Sequence, residues 1–271
     1  MFGKYLDAVR AVRPLVHSIT NYVTVNDVAN AVLAVGASPI MADDAREVAD
    51  MVSICSALNI NIGTLNERTV ESMIIAGRRA NELSKPVVLD PVGAGASAFR
   101  NETVKRLLGE VKISVIKANA SEMKFLCSGA FGTRGVDVSA RDRVGDSGLR
   151  EAAAALKMLA CANSCVVAMT GEIDIVCDSQ KAFAVRNGRA EMEKITGTGC
   201  QLSGIVAAFA AVDSRAESVA AAVCAMAVAG EIGFENMLAC DGNATYRNRI
   251  IDALSNLDGT QLDARAKVYE L

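Results

Sequence analysis

Short apolar runs that end in polar or glycine residues alternate with longer segments of helical spacing along most of this chain. The runs "PLVHSIT" (14–20), "SPIMA" (38–42), "LNINIG" (58–63), "PVVLD" (86–90), the start of "ISVIKANASEMKFLC" (113–127) and "SCVVAMTG" (164–171) read as strands. Between them "TVNDVANAVLAVG" (24–36) sets Val25, Val28, Ala29, Val32 and Leu33 at helical spacing, with Gly36 as a stop. "AREVADMVSICSA" (45–57), "ERTVESMIIAGRRANELS" (67–84), the end of 113–127 and "LREAAAALKMLACA" (149–162) follow the same pattern. "DIVCD" (174–178) and "KAFAVRNG" (181–188) read as a hairpin, and a largely helical C-terminal part follows. Strand–helix units repeated in this way imply an α/β fold: a mostly parallel central sheet flanked by helices. Continuously apolar strands such as "PVVLD" fit a sheet covered on both sides. No low-complexity linker divides the chain, so residues 1–271 read as one domain, with the glycine- and charge-rich stretch 128–148 as a surface excursion.

Composition narrows the function. Net charge is −3 with both signs interspersed and no basic block, which argues against a nucleic-acid partner and favours small molecules or further copies of the chain. The longest uncharged apolar run, 219–230, is shorter than the ~18 residues of a membrane span, and its alanines suit a helix packed inside a core. The N-terminus is amphipathic and charged, without the apolar stretch of a signal peptide, so a cytoplasmic protein without a membrane anchor is expected. The eight cysteines form no CxxC pair, and His17 is the only histidine, so no zinc site is indicated. All the thiols but Cys200 are expected to be buried small hydrophobes, and His17 to have a core or edge role.

In an open α/β sheet, ligands bind at the C-terminal ends of the strands. Here those edges read "TNY" (20–22), "MADD" (41–44), "GTL" (63–65), "DPVGAG" (90–95), "KANASE" (117–122), "TGE" (170–172) and "TGTGC" (196–200). In the last, Gly197 and Gly199 let the backbone turn before an apolar helix, whose free N–H groups and dipole would make an anion hole. A plain glycine turn is the other reading of those residues alone. Asn119 and Glu122 fit a helix capping box, or Glu122 joins Asp90 in holding a hydrated Mg²⁺, which takes only one or two carboxylates. There is no GxxxxGK[ST] loop and no GxSxG elbow, and "GAGASA" (93–98) meets only the looser dinucleotide fingerprint.

The segments 14–44, "NIGTL" (61–65), "VVLDPVGAGAS" (87–97), "NASE" (119–122), "TGEIDIVCD" (170–178) and "ITGTGC" (195–200) together, and in this order, resemble hydroxyethylthiazole kinase. The resemblance implies a ribokinase-like three-layer fold and a homotrimer with active sites at subunit interfaces. It implies transfer of the γ-phosphate of ATP to the primary alcohol of 4-methyl-5-(2-hydroxyethyl)thiazole, a salvage step toward thiamine. Carried over by position, Met41 and Gly197 contact the thiazole, and Asn21, Val23 and Gly63 line the same pocket. Lys117 and Thr170 contact the nucleotide, and "NASE" resembles a motif that supports Mg²⁺ together with Asp90. The family often has "RGN" where this chain has "KAN" (117–119); lysine offers a point charge in place of a planar fork.

Most ribokinase-like kinases carry an aspartate base where this loop has Cys200, whereas thiazole kinases commonly carry the thiol. A helix N-terminus favours a thiolate, and nearby phosphates oppose it. Phosphoryl transfer has a largely dissociative transition state, so a weak base that takes the proton late is sufficient. A covalent role for Cys200 lacks any activating partner. Two other readings are a ribokinase-like, nucleotide-dependent hydro-lyase, against which Cys200 argues, and a non-catalytic thiazole- or nucleotide-binding protein, against which Asp90, Glu122 and the glycine loop argue.

Overall fold

A computed structural model describes residues 2–128 and 146–271. The excursion expected at 128–148 lies largely outside the described residues. The strands are β1 (Leu15–Ile19), β2 (Ser38–Ile40), β3 (Ala57–Asn61), β4 (Val87–Asp90), β5 (Val115–Asn119), β6 (Val166–Thr170), β7 (Asp174–Cys177), β8 (Ala182–Val185) and β9 (Val268–Glu270). They form one sheet in the order β2-β1-β3-β4-β5-β6-β7-β8-β9. Pairing is parallel from β2 through β6 and antiparallel from β6 through β9.

The helices are α1 (Gly3–Val12), α2 (Val25–Ala34), α3 (Val48–Ile54), α4 (Glu67–Glu82), α5 (Ala98–Glu110), α6 (Ala120–Cys127), α7 (Asp146–Asn163), α8 (Thr198–Ala210), α9 (Ala216–Glu235), α10 (Asn243–Asn256) and α11 (Gly259–Arg265). One face of the sheet is covered by α3 to α7 and the other by α2, α8 and α9, with α1, α10 and α11 packed against these. The result is the three-layer α/β architecture expected from the alternating pattern.

Side chains alternate between the two layers with the two-residue period of a strand. Val88, Val115 and Val166 join the α8–α9 core, whereas Val87, Leu89, Ile116 and Val167 join the opposite one. Following that period, Asn59, Asn61, Asp90, Lys117 and Thr170 share the face under α8 and α9. The apolar strand positions carry the fold on both sides, and the polar ones collect on one side near the strand ends.

Several local differences from the sequence pattern have physical causes. The helix expected from Ala45 begins at Val48 because Asp44 closes a turn, accepting from Arg46 N at 2.9 Å. Helix α5 follows "GAGAS" without a marked apolar stripe, since it buries only Thr103, Val104 and Leu107. No loop separates β5 from α6: Asn119 ends the strand and caps the helix. Strand β9 is too short to show a pattern and is defined by its pairing with β8. The expectation of buried cysteines fails at Cys161 and Cys240, both exposed; Cys161 lies on the outward side of α7 and Cys240 in the turn after α9. The other five beside Cys200 are buried.

Helix α9 is long and apolar enough to cross a membrane, yet most of it is buried inside the fold, where its alanines allow close packing. The helix pair α2–α8 is equally tight. A Cβ added at Gly204 would stand 2.9 Å from Val32 Cγ2 and 3.0 Å from Val28 Cγ1. Gly204→Val should therefore lower unfolding free energy by about 1–3 kcal/mol through overpacking. Urea denaturation measures this; an unchanged midpoint would show that α2 and α8 are not held at this distance.

Candidate active site

Strand order reverses between β1 and β3, because the chain leaves β1 toward β2 on one side and then returns to β3 on the other. Ligands bind at such a switch point, outside the C-terminal strand ends. Asn21 follows β1, Asn61 ends β3, and the Asn21 amide donates to Asn61 Oδ1 at 3.1 Å across the switch. Gly63 lies two residues further, its N–H donating to Asn61 Oδ1 at 2.9 Å.

The neighbouring strand ends bring up charge. In register with Asn61 is Asp90, the last residue of β4. Its side chain is fully buried, with Oδ2 accepting from Asn61 Nδ2 at 2.8 Å and from Ser203 Oγ at 2.5 Å. Lys117 of β5 sets its Nζ 3.0 Å from Asp90 Oδ1, with both side chains almost free of solvent contact. Lys117 also donates to Gly199 O at 3.1 Å. Burial opposes the ammonium, but the negative groups facing it, Asp90 foremost, hold Lys117 above the ordinary lysine value.

Helix α8 arrives over this pair. Its N-cap is Gly197 at φ +85°, a conformation that favours glycine, and a Cβ there would also meet Thr24 Cγ2. Gly199 proves to be helical and not part of the turn, and a Cβ there would stand in ordinary contact, 3.4 Å, with the Lys117 ammonium. The first intrahelical bond runs from Gln201 N to Gly197 O, so by helix geometry the N–H groups of Thr198, Gly199 and Cys200 have no partner within the helix. They supply the positive end of the helix dipole beside a buried cation.

Cys200 is half-buried, and its sulfur accepts from Asn21 Nδ2 and Asn61 Nδ2, both at 3.2 Å. The structure thus brings Asn21, Asp90, Lys117, Gly197 and Cys200 into one connected group. Glu122 stands on its border. The capping box is complete: Asn119 Oδ1 accepts from Glu122 N at 2.9 Å, and Glu122 Oε2 accepts from Asn119 N at 2.8 Å. Glu122 Oε1 also accepts from Gly93 N at 2.8 Å, joining α6 to the loop after β4. Burial raises the Glu122 pKa, its two backbone donors oppose the rise, and the charge of Asp90 adds to it. Gly93, Glu122 and Phe125 help line an open cavity of about 500 Å³.

The remaining expected residues sit at the rim. Thr170 ends β6, and its Oγ1 reaches Ala118 O at 3.5 Å. Met41 is half-buried and follows β2; fully buried His17 donates from Nε2 to Ala42 O at 2.8 Å and holds that segment in place. Burial lowers the His17 pKa. Val23 is 60% exposed and Tyr22 beside it 77%, so the switch-point side of the site is open in a single chain.

Asn61, Ser203 and Arg100 were not singled out from the sequence. Arg100 donates to Ile62 O, Val92 O and Gly63 O at 2.5–2.7 Å, which fixes the two loops flanking the site. The signal for Asn61 was its alternation in "LNIN"; that for Ser203 was its helical spacing from Cys200 and Gly199.

The model of the hydroxyethylthiazole kinase family matches residues 6–260. The chain is 52% identical to the hydroxyethylthiazole kinase of Clostridium acetobutylicum, over 100% of this chain and 99% of that protein. It is 51% identical to that of Desulfovibrio desulfuricans over similar shares, 100% and 99%. Among solved structures, hydroxyethylthiazole kinase from Pyrococcus horikoshii superposes with a TM-score of 0.89 at 35% identity, covering 100% of this chain and 98% of that one. The Staphylococcus aureus pyridoxal kinase in complex with ADP shares the fold, with a TM-score of 0.60 at 12% identity over 95% and 98% of the two chains.

Asp174, at the start of β7, accepts from Gly171 N at 2.9 Å, and burial pushes its carboxyl from 3.8 up to about 7. Between these values the folded chain holds a proton that the unfolded chain has lost, so stability falls as pH rises. Asp174→Asn removes this dependence. Its stability relative to the unsubstituted protein should climb from pH 4 to about 7 and then level off, as thermal unfolding across that range will show; a constant difference would contradict the shift.

Proposed function

The chain belongs to the hydroxyethylthiazole kinase family, and we propose a division of labour among its residues for the reaction. It phosphorylates the primary alcohol of 4-methyl-5-(2-hydroxyethyl)thiazole with ATP, giving the thiazole phosphate used in thiamine salvage. The observation that carries the assignment of roles is the meeting of the α8 N-terminus with Cys200 and the buried Lys117–Asp90 pair.

The first turn of α8 receives the phosphates, its N–H groups and dipole offsetting the negative charge that spreads over the transferred group. Lys117 supplies a fixed cation beneath that turn, and Thr170 borders the nucleotide on the β6 side. Met41, Gly197, Asn21, Val23 and Gly63 form the thiazole side. The alcohol oxygen bonds to the γ-phosphorus as the bond to the leaving ADP oxygen breaks. The proton of the alcohol passes late to the Cys200 sulfur in its thiolate form.

The donor chemistry fits one hydrated Mg²⁺. Glu122 is a buried carboxylate met by backbone donors, whose pKa is raised by burial and further by the charge of Asp90; a cation beside it would relieve both effects. Glu122 would hold the ion. Asp90, whose oxygens already face Asn61, Ser203 and Lys117, would add its charge. When bound, the ion would neutralise charge on the phosphates.

The exposure of Tyr22 and Val23 beside the site supports a homotrimer in which a neighbouring copy closes the thiazole pocket. The continuous sheet supports a single catalytic domain over residues 1–271, the burial of α9 supports a chain without a membrane partner, and interspersed charges with no basic block support the absence of a nucleic-acid partner.

ATP turnover with and without the thiazole alcohol tests the reading. ADP and phosphorylated thiazole are expected in equal amounts, with little ADP when the alcohol is omitted. ADP formation that ignores the thiazole would contradict it.

A further inference from the structure

We infer that Asn61 is a positioning residue for phosphoryl transfer, holding the Cys200 sulfur where it can take the proton of the alcohol. This rests on the role given above to Cys200 and extends it to a side chain that touches neither ATP nor the thiazole in that scheme.

The bonding capacity of the Asn61 amide is fully used, and in only one sense. Its carbonyl oxygen accepts from Gly63 N at 2.9 Å and from Asn21 Nδ2 at 3.1 Å. A flipped amide would set N–H groups against those two donors, so the orientation is determined. Both hydrogens on Nδ2 then have acceptors: Asp90 Oδ2 at 2.8 Å and Cys200 Sγ at 3.2 Å. Asn61 is 1% exposed, so water cannot replace these partners cheaply.

Asn21 is oriented in the same manner. Its Oδ1 accepts from Thr24 N at 3.1 Å and Thr24 Oγ1 at 3.0 Å, which leaves its Nδ2 to donate to Asn61 Oδ1 and Cys200 Sγ. The sulfur therefore receives N–H groups from two amides whose orientations are both fixed. Toward the alcohol the sulfur must again act as an acceptor, and these donors set where its remaining lone-pair density lies. Asn61 is also the bridge between the sulfur and the Lys117–Asp90 pair, which places the proton acceptor in register with the charge beneath the phosphates.

Misplacing a reacting group by about 1 Å can cost ~10²-fold in rate. A double-mutant cycle separates positioning from mere structural support. The kcat at saturating ATP and thiazole alcohol would be measured for the unsubstituted protein, Asn61→Ala, Cys200→Ala and the double variant. Asn61→Ala should lower kcat by roughly 10- to 100-fold, a positioning loss, with the thiazole KM changed less than about threefold. In the Cys200→Ala background the same substitution should cost clearly less, because no sulfur remains to be positioned and only the lost Asp90 hydrogen bond is felt. Equal losses in both backgrounds would overturn the inference while leaving the role of Cys200 intact. If Cys200→Ala by itself leaves kcat unchanged, the proton-acceptor role fails and the inference falls with it. Should Asn61→Ala fail to fold, Asn61→Ser keeps a donor hydroxyl in a buried polar setting and must show the same pattern.

Discussion

The Lys117 ammonium and the Asp90 carboxylate stand 3.0 Å apart beneath the N-terminus of α8, almost without solvent contact. Removing two charges from water is costly, and their attraction compensates only when further hydrogen bonds satisfy the remaining valences. Here Ser203 and Asn61 complete the carboxylate, and Gly199 O accepts from the ammonium. These partners come from β3 and α8, and the pair itself from β4 and β5, so four elements must converge for the pair to be tolerated. Two glycines of α8 set where the helix lies over this pair: Gly204 lets α8 close on α2, and Gly197 supplies the left-handed turn that aims the helix.

A site on that foundation has a particular division of charge. The buried pair is close to neutral, the α8 dipole adds a positive end, and Glu122 adds a carboxylate held by backbone donors. In the proposed reading the phosphates of ATP meet preorganised donors, while the acceptor alcohol meets a sulfur anchored by two amides. In the proposed scheme Cys200 can serve because the proton leaves late and the surrounding dipoles provide most of the acceleration.

Much of this was legible in the sequence, and the gaps have common causes. Strand–helix alternation is a local signal, and it led directly to the parallel part of the sheet and to the strand edges where Asn21, Asp90 and Lys117 lie; Cys200 does not follow a strand as its loop suggested, because 190–194 forms a 3-10 turn and Cys200 stands in the first turn of α8. The capping box at Asn119 and Glu122 was equally local. What remained hidden depends on register and on contacts between distant segments. Lys117 reads from the sequence as a cation for the nucleotide; its partnership with Asp90 requires β4 and β5 to be aligned. Asn61 is concealed within an apolar strand until the alternation of β3 is set against α8. Gly199 reads as a loop glycine because helix starts are weakly marked when the next residues are small and apolar. Strand β9 carries too few residues to announce itself, and its pairing with β8 spans most of the C-terminal part.

The central claim is that the Lys117–Asp90 pair is a single unit on which the site is assembled. Its most direct test is the unfolding free energy, from urea denaturation, of Lys117→Met, Asp90→Asn and the double variant. Each single change strands an uncompensated buried group and should cost about 3–5 kcal/mol. The double variant should lose less than the sum of the two, because neither charge is left without its partner. Losses that simply add would mean that the two side chains are buried side by side without depending on each other, and would contradict the account.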